Sequence, residues 1–111
     1  MFEFGKIILV PFPFTDLTSA KIRPALILSK TSKKADVIVA FISSRIAEDG
    51  SAFPIKSGDL HFSKTGLKVN SEIRLDKIAT LNKDIILGEL GSLNQSVLSK
   101  IKPVFQKIFG F

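Results

Sequence analysis

Apolar positions along the chain follow two rhythms. Over the first four-fifths they come in short runs broken by turn-forming residues. Toward the C-terminus they recur at helical spacing. The first run, KIILVPFPF at residues 6–14, lies between Gly5 and the Thr15-Asp16 turn signal and reads as a strand. Pro11 and Pro13 have no N–H to give to a ladder, so the end of that strand is expected at an edge. Residues 15–22 read as a polar loop. PALILS at 24–29 is apolar on both faces, as a central strand should be. After the turn SKTSKKAD, residues 37–43 form a second buried strand, and the short gap predicts a hairpin between the two.

RIAEDGS at 45–51 reads as a loop, with Asp49-Gly50 the strongest turn signal in the chain. Residues 52–55 and 60–62 read as short strands, residues 73–78 as a partly alternating strand, and 84–88 as another. Val97, Leu98, Ile101, Val104, Phe105 and Ile108 then fall one, three and four apart and predict a helix. Asn94 is its expected N-cap and Gly110 its stop, with a kink at Pro103. The pattern defines a mostly β domain closed by one C-terminal helix. With 111 residues and no linker composition, residues 1–111 read as a single domain.

Sixteen Lys/Arg against ten Asp/Glu give a net charge of +6, spread along the chain, which favours polyanionic partners or acidic protein segments. With no cysteine and one histidine, His61, thiol catalysis, disulfides, a closed zinc site and a two-histidine acid–base pair are all excluded within one chain. His61 itself reads as an exposed loop residue. No glycine-rich phosphate cradle of the nucleotide-binding type occurs. The first residues carry no signal-peptide pattern and no apolar run is long enough to span a membrane, so a cytoplasmic protein is expected.

The remaining chemistry lies in hydroxyls, carboxylates and cations. Pro24 biases Arg23 toward extended backbone and so fixes a planar fork of donors, suited to a phosphate, at the sheet's end. Residues 43–45 (Ser-Ser-Arg) end the next strand, and in an antiparallel pair the start of one strand lies beside the end of the other. Arg23 and the Ser43 hydroxyl are therefore expected on one rim. Arg74 and Asp76 lie two apart in a strand and face the same side; the pair reads as either a local surface salt bridge or a base held beside a phosphate-binding cation.

GKIILVPFPFTD, KIRPALILS, VIVAFISS, TGLKVNSEIRLDKIATLN and LGELGSLNQSVLSKI, in this order, make nearly the whole chain resemble the MazF/PemK (Kid-like) toxins of bacterial toxin–antitoxin systems. The resemblance implies a small Src-homology-3-like barrel that forms a homodimer. It implies a metal-independent endoribonuclease, needing no cofactor, that cuts messenger RNA until an acidic antitoxin blocks it. Residue by residue, Arg23 matches the catalytic arginine, Ser43 stands where threonine is usual, and Arg74 and Asp76 match an Arg-x-Asp pair given acid–base roles. Ser44 and Asn70 match RNA-contacting positions, with Lys21 and Lys68 as backbone-steering cations. The first loop is short and lacks the glutamate of the MazF branch, so no cleavage motif carries over. Two rival classes share the barrel: a gyrase-binding toxin of the CcdB kind, and a catalytically inactive relative that binds RNA or peptide.

Overall fold

A computed structural model describes residues 3–12, 21–29 and 35–110. Among them are six strands: β1 (Lys6–Phe12), β2 (Lys21–Ile27), β3 (Asp36–Ser43), β4 (Ala52–Ile55), β5 (Ser71–Asn82) and β6 (Gly88–Ser92). One helix follows, α1 (Gln95–Phe109). The strands form one sheet in the order β4-β5-β3-β2-β1-β6, antiparallel at every pairing. Mostly β with a C-terminal helix is therefore the observed class, and β2 and β3 are the expected antiparallel neighbours. The loop expected at 15–22 lies outside the described residues except for Lys21 and Ile22, which belong to β2. Most of the turn after β2 also lies outside them.

Both faces of the sheet are apolar, and they carry different clusters. Ile7, Leu26, Ala40, Ile42, Ile73 and Leu75 pack on one face under Leu98 and Ile101 of α1. Ile8, Val10, Ala25, Ile27, Val37, Val39 and Phe41 pack on the other, inside the curl of the sheet. A strand buried on both faces reads as a continuous apolar run, which is why PALILS shows no alternation. Pro11 behaves as expected. β1 lies inside the sheet, but its pairing with β6 ends at Leu9, so at Pro11 only β2 is alongside.

The helix begins where the Asn94 side chain accepts the Val97 N–H at 3.0 Å and ends at Gly110 in the left-handed region. It continues through Pro103. Ser99 and Pro103 are both exposed, so the carbonyl that loses its partner there can face water.

Two short strands expected from sequence are absent. Residues 60–62 belong to a turn leading into a 3-10 helix (Phe62–Thr65). The Thr65 hydroxyl donates to the Phe62 carbonyl at 2.6 Å and accepts the Leu67 N–H, so local side-chain bonding overrides strand propensity. Residues 84–88 meet a second 3-10 turn (Lys83–Ile85), capped by the Asn82 side chain on the Asp84 N–H at 2.8 Å. The strand comes later, as β6. Its sequence GELGS offers one large apolar residue; a Cβ at Gly91 would overlap the Thr65 backbone, so only glycine permits this approach.

The decisive irregularity is in β5. Phe41 pairs with Arg74 but the preceding Ala40 pairs with Ile78, leaving Leu75, Asp76 and Lys77 as extra residues in the step. A bulge bends its strand and re-aims side chains. This one, odd in length, exchanges the faces. Arg74 shares the inner face with Phe41, and beyond the bulge Ala79 and Leu81 line it.

Candidate nucleic-acid site

One end of the inner face carries the polar residues singled out from sequence. In β2, Arg23 lies two residues before Ala25 and Lys21 two before that, so both share the inner face with Ala25. Arg23 is paired across β1 with Val10, and Lys21 with Phe12. In β3, Ser43 follows Phe41 by two. The β2–β3 ladder ends with Ala25 opposite Phe41; Arg23 and Ser43 lie two residues beyond that end on their strands, on the same face. On the other side of β3, Ser43 faces Glu72 and Phe41 faces Arg74. Lys21, Arg23, Ser43, Glu72 and Arg74 thus line one end of one face, with Phe12 and Phe41 in ring contact at its floor, centroids 4.0 Å apart.

Arg74 is 8% exposed and surrounded by three carboxylates. Nε and Nη2 donate to the two oxygens of Asp76 at 3.0 and 2.7 Å. Nη1 and Nη2 donate to the two oxygens of Asp49 at 3.0 and 2.9 Å, and Nη1 also donates to Glu72 at 2.9 Å. A guanidinium has five N–H donors, and these five bonds use all of them. The hydrogen bonds to Asp49, then Asp76, hold the Arg74 pKa above its ordinary value against the effect of burial. The same bond from Arg74, with help from the Ser51 N–H, lowers the Asp49 carboxyl. The Arg74–Asp76 contact is therefore real, but it belongs to a buried network and not to a surface pair.

Other expected site residues have local tasks. The Ser43 hydroxyl accepts the Arg45 N–H at 3.0 Å, closing the turn after β3. Ser44 and Lys68 are exposed. Asn70, just before β5, uses its side-chain oxygen to accept the Ser57 N–H at 2.7 Å. His61 is half-buried rather than exposed, and lines a cleft with Lys56, Asp59, Phe62, Val97 and Lys100, away from the Arg23 rim.

Two members of the site escaped the sequence reading. Glu72 was visible in the alternation Glu72-Ile-Arg74-Leu-Asp76, which puts three charges on one side of a strand. Asp49 was hidden by its own turn chemistry. Its Oδ1 accepts the Ser51 N–H at 3.1 Å, as a turn aspartate does, and the same carboxylate reaches across to Arg74.

A curled antiparallel sheet with a C-terminal helix, and a cluster of charged and hydroxyl side chains at one end of its inner face, define a small β-barrel-like domain with a polar site at one rim. The chain matches the family described as PemK-like, MazF-like toxin of type II toxin–antitoxin systems over residues 3–109, and it belongs to that family. No curated protein matches it in sequence. Among solved structures it resembles the Mycobacterium tuberculosis toxin MazF-mt6 (19% identity, 96% of this chain and 97% of that one, TM-score 0.76). It also resembles an endoribonuclease in complex with its cognate antitoxin from a mycobacterial species (19%, 98% and 95%, 0.77). A third likeness is to the MazE–MazF complex of Deinococcus radiodurans (15%, 98% and 96%, 0.77). At these identities the likeness establishes the fold.

Proposed function

We propose that the protein is a toxin endoribonuclease that cuts single-stranded RNA without a metal ion and is silenced by an acidic antitoxin. The observation that supports this reading is that Arg23 and Ser43 both lie just beyond one end of the β2–β3 ladder, on the sheet face that also carries Lys21. RNA supplies its own nucleophile, so the protein needs neither an acyl-type nucleophile nor a metal-bound water. The 2′-oxygen forms a bond to phosphorus as the bond from phosphorus to the 5′-oxygen breaks. One proton leaves the 2′-hydroxyl, and one reaches the departing 5′-oxygen.

Arg23 stabilises charge on the pentavalent phosphorus and gives the leaving oxygen its proton; a guanidinium, protonated throughout the physiological range, does not serve as the base. Ser43 turns its hydroxyl hydrogen from the Arg45 carbonyl, 3.3 Å away, to a phosphate oxygen while its own oxygen keeps the Arg45 N–H. Asp76 is the base. Both its oxygens accept from Arg74, each retains a second lone pair, and its side chain is 35% exposed. With every donor engaged, Arg74 orients Asp76 and does not itself meet the phosphate. Lys21 steers the RNA backbone along the face, with Lys68, Ser44 and Asn70 as further contacts toward β4. The working unit is a homodimer in the cytoplasm.

The test is incubation of the purified protein with single-stranded RNA in EDTA, followed by end-group analysis. Fragments ending in 2′,3′-cyclic phosphate and beginning with 5′-hydroxyl are expected. Absence of cleavage, or fragments with 5′-phosphate ends, would overturn the assignment; a DNA-supercoiling defect in place of cleavage would favour a gyrase-binding toxin.

A further inference from the structure

We propose that Asp49 is a positioning residue for RNA cleavage, clamping the β3–β4 loop onto Arg74 and so fixing both Ser43 and Asp76. This rests on the nuclease reading above and extends it to a residue outside the rim. The loop, residues 44–51, is exposed apart from its last residue and contains two backbone positions in the left-handed region, Glu48 and Gly50. Its intrinsic order is low. Three ties to β5 hold it: the Ala47 N–H donates to Glu72 at 3.0 Å, the Leu75 N–H donates to the Ser51 carbonyl at 3.0 Å, and Asp49 forms its two-point bond to Arg74.

An ion pair with an exposed partner ordinarily contributes little. Here the arginine side chain is 9% exposed against 46% for Asp49, and the bond is bidentate, which is the exception to that rule. The geometry explains the reach of the effect. Asp76 grips one edge of the planar guanidinium through Nε and Nη2, and Asp49 grips the adjacent edge through Nη1 and Nη2. A fork held on two edges cannot turn about its stem. Removing Asp49 leaves Nη1 held by Glu72 alone and Nη2 by Asp76 alone, and the Asp76 carboxylate shifts with the loosened guanidinium. The same loss releases the loop whose first turn, Ser43 Oγ to Arg45 N–H, sets the direction of the serine hydroxyl. One carboxylate thus governs two groups on different strands.

The experiment compares the full chain with Asp49→Ala, Asp49→Asn and Asp49→Glu for RNA cleavage in EDTA and for amide hydrogen exchange. Misplacement of reacting groups by about an ångström costs on the order of 100-fold. Asp49→Ala is expected to lower kcat by about 10- to 100-fold with KM changed by less than about 3-fold. The asparagine variant, which keeps one acceptor oxygen, should fall between alanine and the unaltered chain. In Asp49→Ala the Ala47 and Ser51 amides should exchange at least about 10-fold faster while the β2 and β3 amides keep their protection. If Asp49 merely repelled RNA, its removal would lower KM and leave kcat alone, and that result overturns the proposal. So does a kcat within about 2-fold, or unchanged exchange at Ala47, in a folded variant. If the unaltered chain cuts no RNA, the nuclease reading is what fails. Exchange then decides the clamp alone: faster at Ala47 upholds it, unchanged overturns it.

Discussion

Arg23 and Arg74 stand at the same end of the same sheet face, on strands separated only by β3, yet their surroundings differ in kind. Arg23 is half-buried near the start of β2, next to a proline that fixes its backbone, opposite Val10 of β1 and on the same face as Lys21. Arg74 lies under the β3–β4 loop with three carboxylates on it and no donor left over. An arginine that meets a transition state must bring part of its fork to the reacting phosphate. An arginine that organises a site is best fully engaged. Sequence alone gives the two residues the same appearance, a cation at a strand in a basic protein. On the nuclease reading proposed above, Arg23 meets the phosphate and Arg74 organises the carboxylates around it.

The sharpest way to break this contrast is to remove each arginine in turn. Arg23→Ala should abolish RNA cleavage, lowering kcat by about 100- to 1,000-fold or more while the melting temperature stays near that of the unaltered chain. Arg74→Met should act on stability as well as on activity, because Glu72, 3% exposed, would be left as a buried carboxylate without its cation. Breaking a buried network in this way costs about 3–5 kcal/mol, roughly 10 °C or more in Tm for a domain of this size, and thermal melts read it directly. A stable Arg74→Met protein that had lost only activity would erase the distinction.

Smaller effects sharpen it. Lys21→Ala should weaken RNA binding and reduce the slope of log K against log salt by about one, in fluorescence anisotropy titrations. Lys68→Ala should do the same if the RNA path extends past β5. The acid response of the Arg74 network should be smaller still. The folded Asp49 carboxyl lies below its unfolded value of 3.8, held there by Arg74 and the Ser51 N–H, with Glu72 and Asp76 as the like-charged groups sharing that arginine. Its contribution is complete above the unfolded value and is lost as pH falls through the lower, folded one. Protection of the Ala47 and Ser51 amides, taken relative to the intrinsic exchange rate at each pH, should fall below about pH 4, and Asp49→Asn should flatten that dependence.

Much of this was legible in the chain. PALILS and residues 37–43 carry enough continuous apolar character to declare a pair of buried strands, and Asn94 and Gly110 mark the helix ends by their side-chain chemistry alone. Antiparallel geometry also led to the expectation of an Arg23–Ser43 rim; the β2–β3 ladder ends at Ala25–Phe41, two residues short of both. The misses share a cause. GELGS carries little apolar character, and what makes it a strand is the bare backbone that lets Gly91 close on Thr65 and pair with β1. Asp49 reaches a partner 25 residues away, and nothing local signals that contact. The β5 pattern looked only partly alternating because its two halves obey opposite alternations, divided at Leu75–Lys77.

That division has an evolutionary corollary. Because three residues occupy the step between Ile78 and Arg74, a deletion of any single one would turn the downstream half of the strand over, exposing Ala79 and Leu81 and driving Ile78 and Thr80 inward. Point substitution at Lys77 should be tolerated far better than loss of the position itself. In this segment the count of residues carries more of the fold's information than their identities do.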